Sequence, residues 1–447
     1  MSTNSVDSTS SAVHLLQVLT FWDLVVYGLV YVSPIGPWST LGFASDLSGG
    51  AVSLVYLLGA VALGFTALSY AQMCTEVPEA GSVYSYARFA MGEAAGFLGG
   101  WLILLDYLLL PALMYVFCGV ALAATFPTVP SWLWILLVAA YNIGVNWFGV
   151  KTSARFNLGT LIFQSALLFV VLVAALWALQ TSGAPMFTED AWWGPSTSVS
   201  GIFAGASLCV MAYLGFDAIT TLAAEVKPEQ RHLVGRALIF SIVLLGAMAV
   251  FNVWILSDLG KGVTSISGDL TVLTFDVLGA KVGPKFGQTV ALASVLAVAI
   301  SITPPMVTGV ARVLFAMAQK GEMPRILGKL DQKYRVPRNA IATSGAISVM
   351  VAIYFAAQFD TLTSMVTFGA LTAFAMVNAS VIALFIIKRK SKRYFMHLLL
   401  PSIGIAVIIG VLSQMSALGL GVGSAWLVAG IVVVIVLRTR SRAALVN

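Results

Sequence analysis

Long apolar runs separated by short polar turns dominate the chain. A window of about 19 residues finds about twelve runs near the ~20-residue length of a bilayer-crossing helix. They fall near 19–45, 52–74, 94–123, 131–148, 156–179, 200–222, 236–258, 286–318, 339–358, 362–387, 396–414 and 418–437. The longest loop between them, 259–285, holds Gly260, Gly262 and Gly268 among Ser and Thr residues, which suits either a re-entrant or a surface helix. Two runs are interrupted midway by helix-hostile residues: Tyr31-Val32-Ser33-Pro34-Ile35-Gly36-Pro37 in the first and Tyr213-Leu214-Gly215-Phe216-Asp217 in the sixth. Lipid cannot satisfy the backbone groups that unwinding frees, so such breaks survive where they line a cavity or hold a ligand.

Each break opens a set of five runs, the spacing of an inverted repeat with a substrate held near the bilayer midplane. The pattern therefore predicts an all-α membrane protein of about twelve transmembrane helices, with a 5+5 inverted repeat and helices 1 and 6 unwound at the midplane. On this reading 1–18 is a cytosolic N-terminal tail, 19–179 the first five-helix repeat and 200–387 the second. Residues 396–437 add helices 11 and 12, and 438–447 form a cytosolic C-terminal tail.

Composition narrows the class. A chain with 59% hydrophobic and 9% charged residues and a mean hydropathy of +0.96 cannot cover a soluble globule with charge. The polar start, Met1 to Ser11, lacks a basic region followed by an apolar core, so a retained tail is expected rather than a cleaved signal. With that tail inside, the inner loops collect 21 of the 24 Lys and Arg residues, and only Lys261, Lys281 and Lys285 fall outside. Both termini therefore read as cytosolic, and the pI of about 9.2 reflects topology rather than nucleic-acid binding. Cys74, Cys118 and Cys209 are scattered in apolar runs, and His14, His232 and His397 lie at run ends. No metal-ligand spacing appears, so neither a metal, a cofactor nor enzymatic chemistry is expected. Isolated polar positions also make no continuous pore, against a channel.

Polar residues inside the runs are the candidate site. A carboxylate within a span costs about 2.5–3.5 kcal/mol on insertion scales and normally faces a cavity or a partner. Asp217 is the first candidate, to pair with a substrate ammonium or to carry a coupling proton; its plain alternative is a cap on the second half-helix. Asp106 is the second, with a packing hydrogen bond to Ser or Thr as its plain alternative. A diamine would place one ammonium at each. Tyr107, Tyr31, Trp38, Tyr213 and Phe216 offer aromatic faces to a cation, or simple packing. Ser33, Gly36, Trp38 and Ser39 supply polar contacts at the first break, and Leu214 and Gly215 complete the second. Asp23 and Glu225 are expected at solvated ends, with an inner gate or a basic partner as the alternative. Gly369 suits a close helix approach or a gating bend, and Thr303-Pro304-Pro305 a hinge.

The segment Glu76-Val77-Pro78-Glu79-Ala80-Gly81-Ser82-Val83-Tyr84-Ser85-Tyr86 resembles the E-x-P-x-A-G-x-x-Y-x-Y signature of the amino acid–polyamine–organocation transporters. Arg312-Val313-Leu314-Phe315-Ala316-Met317-Ala318-Gln319-Lys320-Gly321, followed by Met323-Pro324, is similar to the same family. Leu105-Asp106-Tyr107-Leu108-Leu109-Leu110-Pro111, Leu214 to Leu222 and Phe368 to Phe374 resemble its bacterial proton-driven putrescine importers. The resemblance implies a LeuT-like fold in a bacterial cytoplasmic membrane, with a small amine or polyamine as cargo. An α-amino acid symporter or exchanger of the same fold is the alternative. In amino-acid-transporting members the first break is Gly-Ser-Gly-like and its N–H groups hold the substrate carboxylate. Here the stretch is Ile35-Gly36-Pro37 after Pro34, and proline has no N–H. Some proton-coupled relatives carry a Lys in span five, whereas residues 156–179 hold no Lys or Arg. Proton coupling would then fall to Asp217, Asp106 or a cytoplasmic acid. Sodium held near Thr303, or exchange without an ion, are the alternatives.

Overall fold

The computed structural model describes residues 15–148, 150–263, 269–415 and 417–446. The expected N-terminal tail up to residue 14, and positions 264–268 of the long loop, lie outside the described residues. In chain order the helices are α1 (Phe21–Val32), α2 (Leu41–Ser48), α3 (Val52–Glu76), α4 (Val83–Met91), α5 (Glu93–Thr125), α6 (Ser131–Trp147), α7 (Val150–Ser182) and α8 (Val199–Met211). They continue as α9 (His232–Leu259), α10 (Leu273–Lys281), α11 (Pro284–Ala297), α12 (Thr303–Gln319), α13 (Arg338–Tyr354), α14 (Phe359–Val381), α15 (Leu400–Ser413) and α16 (Ala417–Val446). Among the described residues there is no strand, only an isolated parallel bridge from Leu19 to Val226.

Nine helical segments among the described residues are long and apolar enough to cross a membrane, or ten with the bent pair Phe21–Ser39 and Leu41–Ser48 taken as one. The remaining two expected runs, 131–148 and 339–358, form α6 and α13. These have 17 residues each, at the lower limit of a crossing helix.

Local sequence sets the ends. Thr20 and Asp23 form a reciprocal capping box at the start of α1, so Asp23 is a helix cap. Pro284 stands in the first turn of α11, where its missing N–H costs no helical bond. Gly49 closes α2 in the left-handed region at φ 65°. The loop 259–285 carries α10, which packs on α2, α9 and α11. Its Thr274 hydroxyl donates to the Trp38 carbonyl at 2.8 Å, and Phe275 meets the Trp38 ring edge-on at 6.4 Å.

The long helix α5 runs through the middle, touching α4, α6, α12, α13, α14 and α16. Against α14 the approach is close: a Cβ at Gly369 would lie 2.7 Å from the Asp106 nitrogen and 2.9 Å from Leu105 Cβ. Helix α14 is continuous through Gly369, so this glycine serves close approach rather than a bend.

Candidate substrate site

Both expected breaks are present. Helix α1 stops at Val32, and Ser33 adopts φ 72°, a left-handed conformation that costs a non-glycine residue of order 1–3 kcal/mol. A single 3-10 turn, Gly36–Ser39, follows, and the chain then bends by 57° into α2. In span six, α8 ends at Met211 and the chain resumes as a 3-10 helix, Phe216–Glu225, started by Gly215 at φ 98°. The side chain of Tyr31 explains the glycine. Its ring lies against Gly215 so closely that any Cβ there would overlap it, so the two breaks touch each other.

Around this contact the structure gathers the acids. Asp217 is fully buried in the first turn of the second half of span six. Its Oδ2 accepts the hydroxyl of Tyr107 at 2.6 Å and that of Tyr70 at 3.1 Å, while Oδ1 has no partner. A role confined to capping does not account for this carboxylate, which reaches two other spans. Asp106, one residue before Tyr107 on α5, is also fully buried, and neither of its oxygens has a partner. The packing hydrogen bond weighed for it is therefore not made. Asp106, Asp217 and Tyr31 lie within electrostatic reach of one another, and the Tyr31 hydroxyl too is unpartnered. Phe216, Tyr70 and Phe374 close one side of the cluster with ring centroids 5.5 to 5.9 Å apart.

Other candidates lie elsewhere. The Tyr213 hydroxyl donates to the Tyr56 carbonyl at 3.0 Å, fixing that ring against α3. The Trp38 indole donates to Asn252 on α9 at 3.1 Å and lies beneath α10 as a cover. Leu214 is buried and donates its N–H to Met211. Gly36 has open space, its Cβ position meeting nothing nearer than the Ala212 carbonyl at 3.9 Å. At the first break the N–H groups of Ser33, Gly36 and Trp38 are engaged by Leu29, Ser33 and Ile35 carbonyls, and Pro34 and Pro37 have none.

Glu225 is not at a solvated end. It is buried and ion-paired with Arg312 of α12, also buried, and its carbonyl receives the N–H groups of Val18 and Leu19. This knot closes the end of the molecule where span one begins. Thr303 donates to Asn142 of α6 and to the Ala299 carbonyl, both at 2.8 Å. The carbonyls of the proline pair itself are also occupied: Asn146 donates to Pro304 at 2.9 Å and Tyr27 to Pro305 at 2.7 Å.

Sequence reading missed Tyr70, Phe374 and Gln164. Gln164 is fully buried on α7, and its Oε1 accepts the Ser33 hydroxyl at 2.8 Å. An amide in the middle of an apolar run was the available signal; a tyrosine in span two carries none.

Paired helix breaks around buried carboxylates, in a bundle of membrane-length helices, are the architecture of a polytopic carrier. The chain belongs to the amino acid permease family, whose profile matches residues 19–438, within the amino acid–polyamine–organocation superfamily. It is 28% identical over 438 residues to the low-affinity putrescine importer PlaP of Escherichia coli K12, covering 96% of this chain and 95% of that one. It is 26% identical to the branched-chain amino acid permease BcaP of Lactococcus lactis, covering 83% and 82%. A Bacillus subtilis methylthioribose transporter is 24% identical over 85% and 84%. The family and these relatives are transporters, not enzymes.

Proposed function

We propose that this permease is a secondary active importer of a small amine or polyamine of the putrescine class, working by alternating access and coupled to protons. The observation that carries the reading is the pair of buried acids, Asp217 and Asp106, with three unpartnered oxygens between them. Carboxylate oxygens in a low-dielectric site suit ammonium groups, which bring N–H donors and compensating charge together. Tyr107, Tyr70 and Phe216 add ring faces and hydroxyls beside them. The first break supports the same choice, since Ser33, Gly36 and Trp38 have committed their N–H groups and two prolines have none. A substrate carboxylate would find few donors there.

The site residues are buried in this arrangement, consistent with an occluded form that opens to one face at a time. Asp217 takes the first ammonium; Asp106 takes a second ammonium or the coupling proton. The remaining architecture of the proposal is twelve spans in a 5+5 inverted repeat, both termini cytosolic, in a bacterial cytoplasmic membrane. The relatives agree with an organic small-molecule cargo; the three described above are named for putrescine, branched-chain amino acids and methylthioribose.

The test is uptake of labelled putrescine into proteoliposomes, with unlabelled competitors. Putrescine and related diamines should displace the label, and alanine, leucine and serine should not. Equal or stronger inhibition by those amino acids would move the assignment to an amino acid carrier.

A further inference from the structure

Helix α3 ends at Glu76 beside the two turns that join span ten to span eleven. Both turns, Ile382–Lys388 and Phe395–Leu399, are π-helical, a wide winding that is rare and concentrates at functional sites. They set the Phe385 and His397 rings face to face, 4.2 Å apart and 20° from parallel, and His397 Nδ1 meets the Ser391 hydroxyl at 2.8 Å. Between these rings, α3 and Ile239 of α9 lies an open groove of about 310 Å³. Along α3 its lining runs from Leu68 and Ala71 to Gln72 and Glu76, so the groove grades from apolar to polar toward the helix end.

The connecting loop is Lys388-Arg389-Lys390-Ser391-Lys392-Arg393, five cations in six residues. Topology asks for basic residues at the cytosolic end, but not for what lies beside them. Arg389 is engaged by Glu76 through two contacts, at 2.8 and 2.6 Å, and Lys388 donates to the Phe89 carbonyl at 3.3 Å. Lys390, Lys392 and Arg393 are exposed, with no carboxylate in ion-pair contact among the described residues. Tyr394 and Phe395 follow, also exposed, as aromatic side chains at a headgroup layer are. Inside the groove Gln72 Nε2 donates to the Met396 carbonyl at 3.4 Å, while Gln72 Oε1 is buried without a partner. An unmet acceptor beside unpaired cations suits a ligand that carries both a negative charge and a hydroxyl donor.

We propose that this groove binds an anionic phospholipid of the cytoplasmic leaflet, of the phosphatidylglycerol class. Lys390, Lys392 and Arg393 hold the phosphate, a headgroup hydroxyl donates to Gln72 Oε1, and an acyl chain lies along Leu68, Ala71 and Ile239. Phosphatidylethanolamine brings a donor but no net charge, and phosphatidylcholine brings neither. A lipid seated there ties spans two and seven to the hairpin between spans ten and eleven. The proposal is independent of which cargo the permease carries.

The test uses the purified full chain in detergent, freed of lipid, with each of the three phospholipids added in turn. Native mass spectrometry reads bound lipid, and thermal melting reads its effect. Phosphatidylglycerol should persist as a one-to-one adduct and raise the melting temperature by several degrees. Equal adducts and shifts with phosphatidylcholine would overturn the site, and binding of glycerol phosphate alone would make it a site for a free anion instead. Lys390→Ala with Lys392→Ala and Arg393→Ala should bind phosphatidylglycerol about tenfold more weakly, whereas Arg325→Ala with Lys329→Ala and Lys333→Ala should bind it as the parent does. Equal losses in the two triple variants would mean diffuse attraction to a basic face and overturn the groove. Met396→Trp fills the groove and leaves every charge in place, so it should lose the adduct and keep the lipid-free melting temperature; unchanged binding would overturn the groove. If Met396→Trp melts lower without lipid, Gln72→Leu decides: weaker phosphatidylglycerol binding supports the site, and parental binding overturns it.

Discussion

The Tyr107 hydroxyl donates to Asp217 Oδ2 across 2.6 Å, joining the central helix α5 to the break in span six. Asp106 and Tyr107 are adjacent on α5, so one turn of helix carries both the bond that orients one acid and the second acid itself. The arrangement makes Asp217 a preset acceptor: two hydroxyls hold Oδ2 while Oδ1 stays free.

Asp217→Asn should therefore abolish putrescine uptake while the purified protein keeps its melting temperature within a few degrees. Tyr107→Phe should leave the fold intact and raise KM about tenfold or more, because a hydrogen bond to a charged group contributes about 1.5–3 kcal/mol. Transport kinetics beside thermal melting check both. Near-normal uptake by Asp217→Asn would reduce that residue to a helix-end group.

The two break glycines should respond in opposite ways. Gly215 combines φ 98° with the Tyr31 ring where a Cβ would sit, so Gly215→Ala must strain the backbone and displace the ring. A loss of about 1–3 kcal/mol of stability and most of the uptake is expected. Gly36→Ala meets only the Ala212 carbonyl at 3.9 Å and should transport nearly as the parent does. Equal tolerance at both positions would show that the breaks do not depend on this contact.

Much of this was legible in the chain. Prolines and glycines clustered within a few residues of an apolar run announce the two broken helices, whereas the isolated Pro111 and Gly369 stand in continuous ones, and Asp217 sits at one of the breaks. What the sequence hid depends on rotation and partner. Tyr213 and Tyr31 are both break tyrosines, yet one turns to the Tyr56 carbonyl and the other to Gly215. Glu225 lies three residues past the run that it was expected to leave, and it is buried because the 3-10 segment carries it back to Arg312, 87 positions away. Long-range pairing of this kind leaves no periodicity. Tyr70 reaches Asp217 from span two by the same route.

The Glu225–Arg312 pair should be costly to break and cheap to replace. Removing one member of a buried ion pair leaves an uncompensated charge and costs about 3–5 kcal/mol, whereas an apolar pair of similar volume is often neutral. Arg312→Met alone should lower the melting temperature sharply, and Glu225→Leu with Arg312→Met should recover most of it. If the pair also closes the cytosolic end, the double variant should remain stable but leak substrate outward faster in counterflow. Full recovery of both stability and tight uptake would confine the pair to structure.

Coupling is tested at the hinge of span eight. Thr303 was a candidate sodium ligand, but its hydroxyl is directed at Asn142 and Ala299, and the Pro304 and Pro305 carbonyls are met by Asn146 and Tyr27. A sodium ion there would have to displace a ladder that already ties α12 to α6 and α1. Replacing external sodium with potassium should leave putrescine uptake unchanged, and an imposed inward proton gradient should raise it. Thr303→Ala, which leaves the Asn142 oxygen without its donor, should cost about 1–3 kcal/mol of stability with no change in ion dependence. Uptake that rises with sodium and loses that rise in Thr303→Ala would place the ion at the hinge and remove the proton from the mechanism.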